Sequence, residues 1–217
     1  MSRNLFDKEL EQLHLEIIKM GSLVEESIEN SIKALRNQDV ELAKKVYKDD
    51  DLIDVLERKI EKHCINLIAG QQPLAKDLRT ISSALKIITD MERIGDHSSD
   101  ISGLIMKMTY DRNTKVLSDI SLMADLAKQM VNKSIDAYVK EDIELAKQVC
   151  VSDDEVDELF RKIILEVEGV IKNDLMPVEQ SINFIFISKY LERMADHATN
   201  IGEWVIYNVT GEHKHMN

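Results

Sequence analysis

An all-α fold built as a tandem repeat of two antiparallel three-helix bundles is predicted for this chain by three observations. The composition favours helix, with 44% apolar residues, 5% aromatic residues and only 7 glycines and 2 prolines in 217 residues. Apolar residues recur at helical spacing. Above all, the sequence repeats itself. Asp39 to Ile60 (DVELAKKVYKDDDLIDVLERKI) and Asp142 to Ile163 (DIELAKQVCVSDDEVDELFRKI) agree at 13 of 22 positions without a gap. Upstream, Ser31-Ile32-Lys33-Ala34 matches Ser134-Ile135-Asp136-Ala137 at the same offset. Downstream, Met91 to Ile101 matches Leu191 to Ile201 after a net deletion of three residues, and Pro73 and Pro177 fall one per copy. Three matching blocks in one order identify a duplication.

Each copy supplies three helices. In the first they are expected near 4–37, 39–70 and 74–109, in the second near 117–140, 142–173 and 178–209. The third helix carries Ile81, Leu85, Ile88, Met91, Ile94, Ile101, Ile105 and Met108 along one face. Asn37 and Gly70 punctuate helix ends, and Pro73 suits a first helical position, where its missing N–H breaks no bond. The expected organisation is therefore a first bundle over 1–110, a linker over 111–116, a second bundle over 117–210 and a flexible tail over 211–217.

Charge and motif content narrow the function. The net charge of -12 opposes binding to nucleic-acid backbones and anionic headgroups. No apolar run approaches the roughly 20 residues of a membrane span, and the N-terminus lacks a signal-peptide core. Cys64 and Cys150 fit no metal or redox spacing and are expected as buried thiols of a cytoplasmic protein. Met20, Met106, Met108, Met123 and Met130 are expected to fill core.

The apolar stripe of the second helix (Leu42, Val46, Ile53, Leu56, Ile60, Leu67) is interrupted where Asp49 and Asp50 fall, and the second copy is interrupted at Ser152 and Asp153. An unpaired carboxylate is costly to bury, so an acid at such a position calls for a cation or for solvent. Asp50 and Asp54 stand one helical turn apart on one face, as do Asp153 and Asp157, Glu92 and Asp96, and Glu192 and Asp196. Like charges so placed repel by roughly 0.2–0.5 kcal/mol in an isolated helix. Gly95 and Ala195 leave room beside the third-helix pairs for a neighbouring helix. Brought together, two such pairs form an oxygen-rich cage suited to Mg, Ca, Mn or ferric iron, with Zn as an alternative. Salt bridges to Arg58, Arg93, Arg161 and Arg193 are the competing use of these acids. His97 and His197 project about 100° from the adjacent aspartates and are expected beside the sites or at the surface, not as direct ligands.

Asn37-Gln38-Asp39 with Leu42-Ala43-Lys44, Gln72-Pro73-x-Ala75-x-Asp77-Leu78-Arg79, Glu92-Arg93-Ile94-Gly95-Asp96 and Glu192-Arg193-Met194-Ala195-Asp196 together resemble the PhoU family of phosphate-specific transport system accessory proteins, over nearly the whole chain. The family pattern has Ile-Gly before the last Asp, where the second copy has Met-Ala. The resemblance implies metal ions, foremost iron, held by Glu92, Asp96, Glu192 and Asp196 with Asp50, Asp54, Asp153 and Asp157 as partners. It implies a cytoplasmic negative regulator of phosphate uptake and of the phosphate-starvation response, not an enzyme. Its expected partners are the ATPase subunit of the phosphate ABC transporter and a membrane histidine kinase. A homodimer is also expected. The chain has no P-loop or phosphate-cradling glycine loop, so phosphate sensing is expected to be borrowed from the partners. Two alternatives stand beside this reading. One is a carboxylate-bridged metalloenzyme, which the absence of His three residues after Glu92 or Glu192 disfavours. The other is a scaffolding bundle without metal.

Overall fold

The computed structural model describes residues 3–70, 73–112 and 114–212. Among them six helices run in the order α1 (Arg3–Asn37), α2 (Val40–Gly70), α3 (Ala75–Ile105), α4 (Lys115–Lys140), α5 (Ile143–Lys172) and α6 (Val178–Thr210). The all-helical tandem architecture expected from the repeat is the one observed. Residues 213–217 of the expected tail, like Gln72 of the family motif, lie outside the described residues.

The first two helices of each copy meet at a duplicated corner. Gln38 and Glu141, equivalent in the repeat, both adopt left-handed backbone (φ 53 and 51). The aspartate that follows caps the next helix. Asp39 Oδ1 accepts from the Leu42 amide at 2.9 Å, and Asp142 Oδ1 accepts from the amides of Glu144 and Leu145 at 3.0 Å. Asp39→Ala and Asp142→Ala should each lower stability by about 1 kcal/mol. Urea denaturation checks this, and an unchanged midpoint for both would show that the caps do not set the corner.

Several helix limits differ from those the sequence predicts. α3 ends at Ile105, not near 109, because the chain turns to bury Tyr110, whose hydroxyl donates to the Leu35 carbonyl and whose ring meets Phe184 edge-on at 5.5 Å. α4 begins at Lys115, two residues early, because Thr114 acts as its N-cap and accepts from the Leu117 amide at 3.3 Å. Pro73 precedes the cap of α3 instead of opening the helix; the start is fixed by Asp77 accepting from the Leu74 amide at 3.2 Å.

α1, α2 and α3 pack on one another, as do α4, α5 and α6, and the halves meet along α3 against α6 and α1 against α4. α3 and α6 run antiparallel: Arg79 Nε donates to the Asn208 carbonyl at 2.9 Å near one end, and Gln180 donates to the Thr109 carbonyl at 2.8 Å near the other. One hydrophobic core continues through both halves. The expected α3 face is buried, with Leu85 only partly so, and Ala84 and Ile87 are buried beside it. α3 is covered on two sides, so its apolar face is wider than one stripe. Met20, Met123 and Met130 sit in the core as expected, with Met108 at its edge and Met106 packed partly buried against it. Both cysteines are free; Cys64 is buried and Cys150 partly buried, and burial pushes their thiols up to about 12 and about 11.

Candidate metal centre

The acid cluster of the first half is assembled where α2 crosses α3. Asp54 from α2 and Glu92 and Asp96 from α3 each place a carboxylate oxygen within 4.8 Å of the others. Asp50 is the fourth member. Its approach depends on Gly95: a Cβ there would lie 3.3 Å from Asp50 Oδ1 and 2.9 Å from Ile53 Cδ1. Asp50 Oδ1 is shielded from solvent and has no hydrogen-bond partner. Of the two acids that interrupt the α2 stripe, only Asp50 faces this cluster. Asp49 lies beside Lys45 at 3.9 Å and lines a cleft against Leu23, Glu26 and Ser27 of α1.

The electrostatics are those of a site with surplus negative charge. Burial, then the charges of Asp96, Asp54 and Asp100, push the Asp50 carboxyl up to about 6, with the Ser99 hydroxyl opposing. Burial and Asp96 raise Glu92, and burial and Asp96 raise Asp100. The arginines lie at the rim. Arg93 reaches Asp96 at 3.0 Å and Glu92 at 3.4 Å, and Arg58 approaches Asp54 at 3.8 Å. Both arginine side chains are more than half exposed (55% and 65%), where ion pairs contribute about 0–1 kcal/mol. No ion pair joins either to Asp50, whose oxygen stays orphaned.

α5 and α6 repeat the arrangement. Burial and the charges of Asp196 and Asp157 push Asp153 up to about 6, and burial with Glu192 raises Asp196. Asp153, Asp157, Glu192 and Asp196 therefore face one another as their counterparts do. Among the described residues, however, no triad there is as tight as that of Asp54, Glu92 and Asp96. Lys189 donates to Glu192 Oε1 at 2.6 Å, and Arg161 lies 3.9 Å from Asp157.

Among the described residues no hydrogen bond or ion pair ties either histidine to the four principal acids of its half. His97 is buried in the α3–α6 contact, its ring 5.5 Å from Tyr190 and 5.6 Å from His197; neither ring nitrogen has a hydrogen-bond partner, and Nδ1 lies 3.7 Å from Asp100. Burial, then the charges of His197 and the two arginines, hold it down at about 4. His197 pairs with Asp90 at 2.8 Å, and Asn200 donates to the same carboxylate at 3.2 Å. Residue 90 thus faces His197, while its repeat equivalent, Tyr190, faces His97. Sequence reading also passed over Glu57, which burial and the charges of Glu61 and Asp54 raise. Its position one turn after Asp54 on α2 was the available signal.

The donor set fits a hard cation. It is all oxygen, it includes a buried oxygen without a partner, and it carries charge that nothing nearby fully compensates. Asp50, Asp54, Glu92 and Asp96 would hold the ion in the first half, and Asp153, Asp157, Glu192 and Asp196 in the second. A bound cation would relieve the repulsion and tie α2 to α3.

A pH dependence follows. In the folded protein Asp50 and Asp153 keep their protons up to about pH 6, whereas in the unfolded chain they release them near 4. Between these values the folded state binds more protons, so their contribution to stability falls as pH rises and stays low above about 6. Glu16, lowered by its contacts with Lys59 and His63, acts in the opposite sense. The informative quantity is the difference from a variant. Metal-free Asp50→Asn/Asp153→Asn should melt higher than metal-free wild type at pH 7.5, with the gap closing toward pH 4. A gap independent of pH would contradict the shifts.

The PhoU domain family model matches residues 17–105 and again 120–205. The phosphate-specific transport system accessory protein PhoU homolog of Clostridium acetobutylicum is 40% identical over 218 residues, covering 100% of both chains. The homolog of Aquifex aeolicus is 39% identical over 212 residues, covering 96% of each. The crystal structure of PhoU from Pseudomonas aeruginosa superposes with a TM-score of 0.91 at 32% identity, over 95% of this chain and 100% of that one. That of the phosphate transport system regulatory protein PhoU from Streptococcus pneumoniae gives 0.90 at 27% identity, over 97% and 100%. None of the described helices is long and apolar enough to cross a membrane. With the family model matched once in each half and similarity to relatives over the full length, the chain belongs to the PhoU domain family.

Proposed function

We propose that this protein is a cytoplasmic negative regulator of phosphate uptake and of the phosphate-starvation response, working by contact as a metal-binding adaptor. The expected contacts are the ATPase subunit of the phosphate ABC transporter and a membrane histidine kinase, with a homodimer as the working form. The observation that carries the regulatory part is full-length similarity to accessory proteins of the phosphate-specific transport system. The metal part is supported by the Asp54–Glu92–Asp96 triad with the orphaned Asp50 oxygen. Iron is the first candidate, with Zn, Mg, Mn and Ca behind it. The ion supplies charge neutralisation and a cross-link between helices. The chain's own residues supply the α3–α6 contact that joins the halves carrying the two clusters.

The test is deletion of the gene with a phosphate-starvation reporter, combined with pull-down of tagged protein. Reporter activity in phosphate-rich medium should rise on deletion, and the ATPase subunit and kinase should co-purify. Wild-type repression after deletion, with neither partner recovered, would overturn the adaptor reading.

A further inference from the structure

We infer that the two centres are unequal, the first built to take a metal ion and the second already partly compensated by the ammonium group of Lys189. This rests on the metal reading above and sharpens it residue by residue.

Alignment of the two halves places α5 residues 103 positions after their α2 counterparts and α6 residues 100 after their α3 counterparts. The four principal acids are kept, and so are the rim arginines, Arg58 with Arg161 and Arg93 with Arg193. Several flanking positions differ, and at three of those nearest the acids the second half is the less negative. Thr89 becomes Lys189, Glu57 becomes Phe160 and Asp100 becomes Asn200. The first centre thus counts six acids (Asp50, Asp54, Glu57, Glu92, Asp96, Asp100), formally -6. The second counts four acids (Asp153, Asp157, Glu192, Asp196) and one ammonium, formally -3.

Lys189 engages the cluster by direct contact, although its side chain is 40% exposed. Its Nζ is 2.6 Å from Glu192 Oε1 and 2.5 Å from Oε2, so it engages both oxygens of the carboxylate. Glu192 is largely buried (13% exposed), which strengthens the pair relative to one in open solvent. The same Nζ lies 5.4 Å from the centre of the Phe160 ring, whose face favours a cation. Lysine and phenylalanine thus form a matched pair: the second substitution removes an acid and provides a surface for the new cation. In the first half, Thr89 donates to its own helix at Leu85 and sends no charge toward Glu92, and Glu57 adds to the negative field. The tight triad of carboxylate oxygens, correspondingly, occurs in the first half. A metal ion entering the second centre must displace Lys189 from Glu192; one entering the first displaces only exposed arginine.

The experiment is titration of the metal-free full-length protein with Mn²⁺, read as loss of the free-ion paramagnetic resonance signal. Wild type should show a high-affinity class that Asp50→Asn/Asp96→Asn removes, and a second class at least about tenfold weaker. Lys189→Thr, which installs the first half's own residue, should strengthen the weak class about tenfold or more, and the gain should vanish when Asp153→Asn is added. Thr89→Lys with Glu57→Phe should weaken the first class by a similar factor, and this reciprocal pair guards against a folding defect in either variant alone. Two classes of equal affinity in wild type, unmoved by Lys189→Thr, would overturn the inequality while leaving the metal reading intact. No Mn²⁺ bound by wild type or by Lys189→Thr would overturn both.

Discussion

Saturating metal is expected to raise the melting temperature of the metal-free protein by roughly 5–10 °C, and Asp50→Asn/Asp96→Asn to abolish most of that rise. The magnitude follows from linkage. A ligand at about 100 times its dissociation constant adds about 2.7 kcal/mol to the folded state. For a domain of this size each kcal/mol shifts the midpoint by about 2–4 °C. The variant should also melt higher than wild type when both are metal-free, because amides carry no charge to bury and remove the repulsion that, after burial, raises Asp50 and Glu92. Differential scanning fluorimetry with and without added ion reads both effects. A rise of equal size in wild type and variant would place the stabilising ion elsewhere.

The second large effect concerns how α2 and α3 come close enough for the acids to meet. In the first half Gly95 faces Ile53; in the second Ala195 faces the side where Val156 replaces that isoleucine, and both are fully buried. One methyl group has moved across the interface. A Cβ on Gly95 would lie 2.9 Å from Ile53 Cδ1, the atom valine lacks, so Gly95→Ala alone forces the core to shift. Overpacking of this kind costs about 1–3 kcal/mol, against about 1 kcal/mol gained from alanine in a helix. Ile53→Val alone costs about 0.5–1.5 kcal/mol. The double variant removes the 2.9 Å clash and keeps the alanine gain, leaving the 3.3 Å approach to Asp50 Oδ1 for a shift of a few tenths of an ångström to absorb, so it should be about as stable as wild type. The coupling between the two changes should be about 1–3 kcal/mol and favourable. Chemical denaturation of the four proteins in the cycle measures it, and additive effects would show that the contact does not control helix approach.

Much of this arrangement is legible in the sequence. The repeat supplies the element count, the 3.6-residue period supplies the buried faces, and the acids at i and i+4 supply one helix face each. The features that escaped depend on contacts between distant segments. α3 stops early because Tyr110 is drawn onto Leu35 and Phe184, residues about 75 positions away on either side. The corners at Gln38 and Glu141 are left-handed without glycine, so composition is silent about them. Spacing separates His97 from the acids but not its burial, which is set by α6 arriving against α3. The same holds for Lys189: the substitution is visible in the aligned halves, but its seat between Glu192 and Phe160 depends on α6 packing against α5.

Whether these carboxylate clusters hold metal is tested most directly by elemental analysis of protein purified without chelators, wild type beside Asp96→Asn/Asp196→Asn. Stoichiometric metal in wild type and its loss in a variant that stays folded are expected. Metal-free wild type that still regulates phosphate uptake, or equal metal in both proteins, would contradict that expectation.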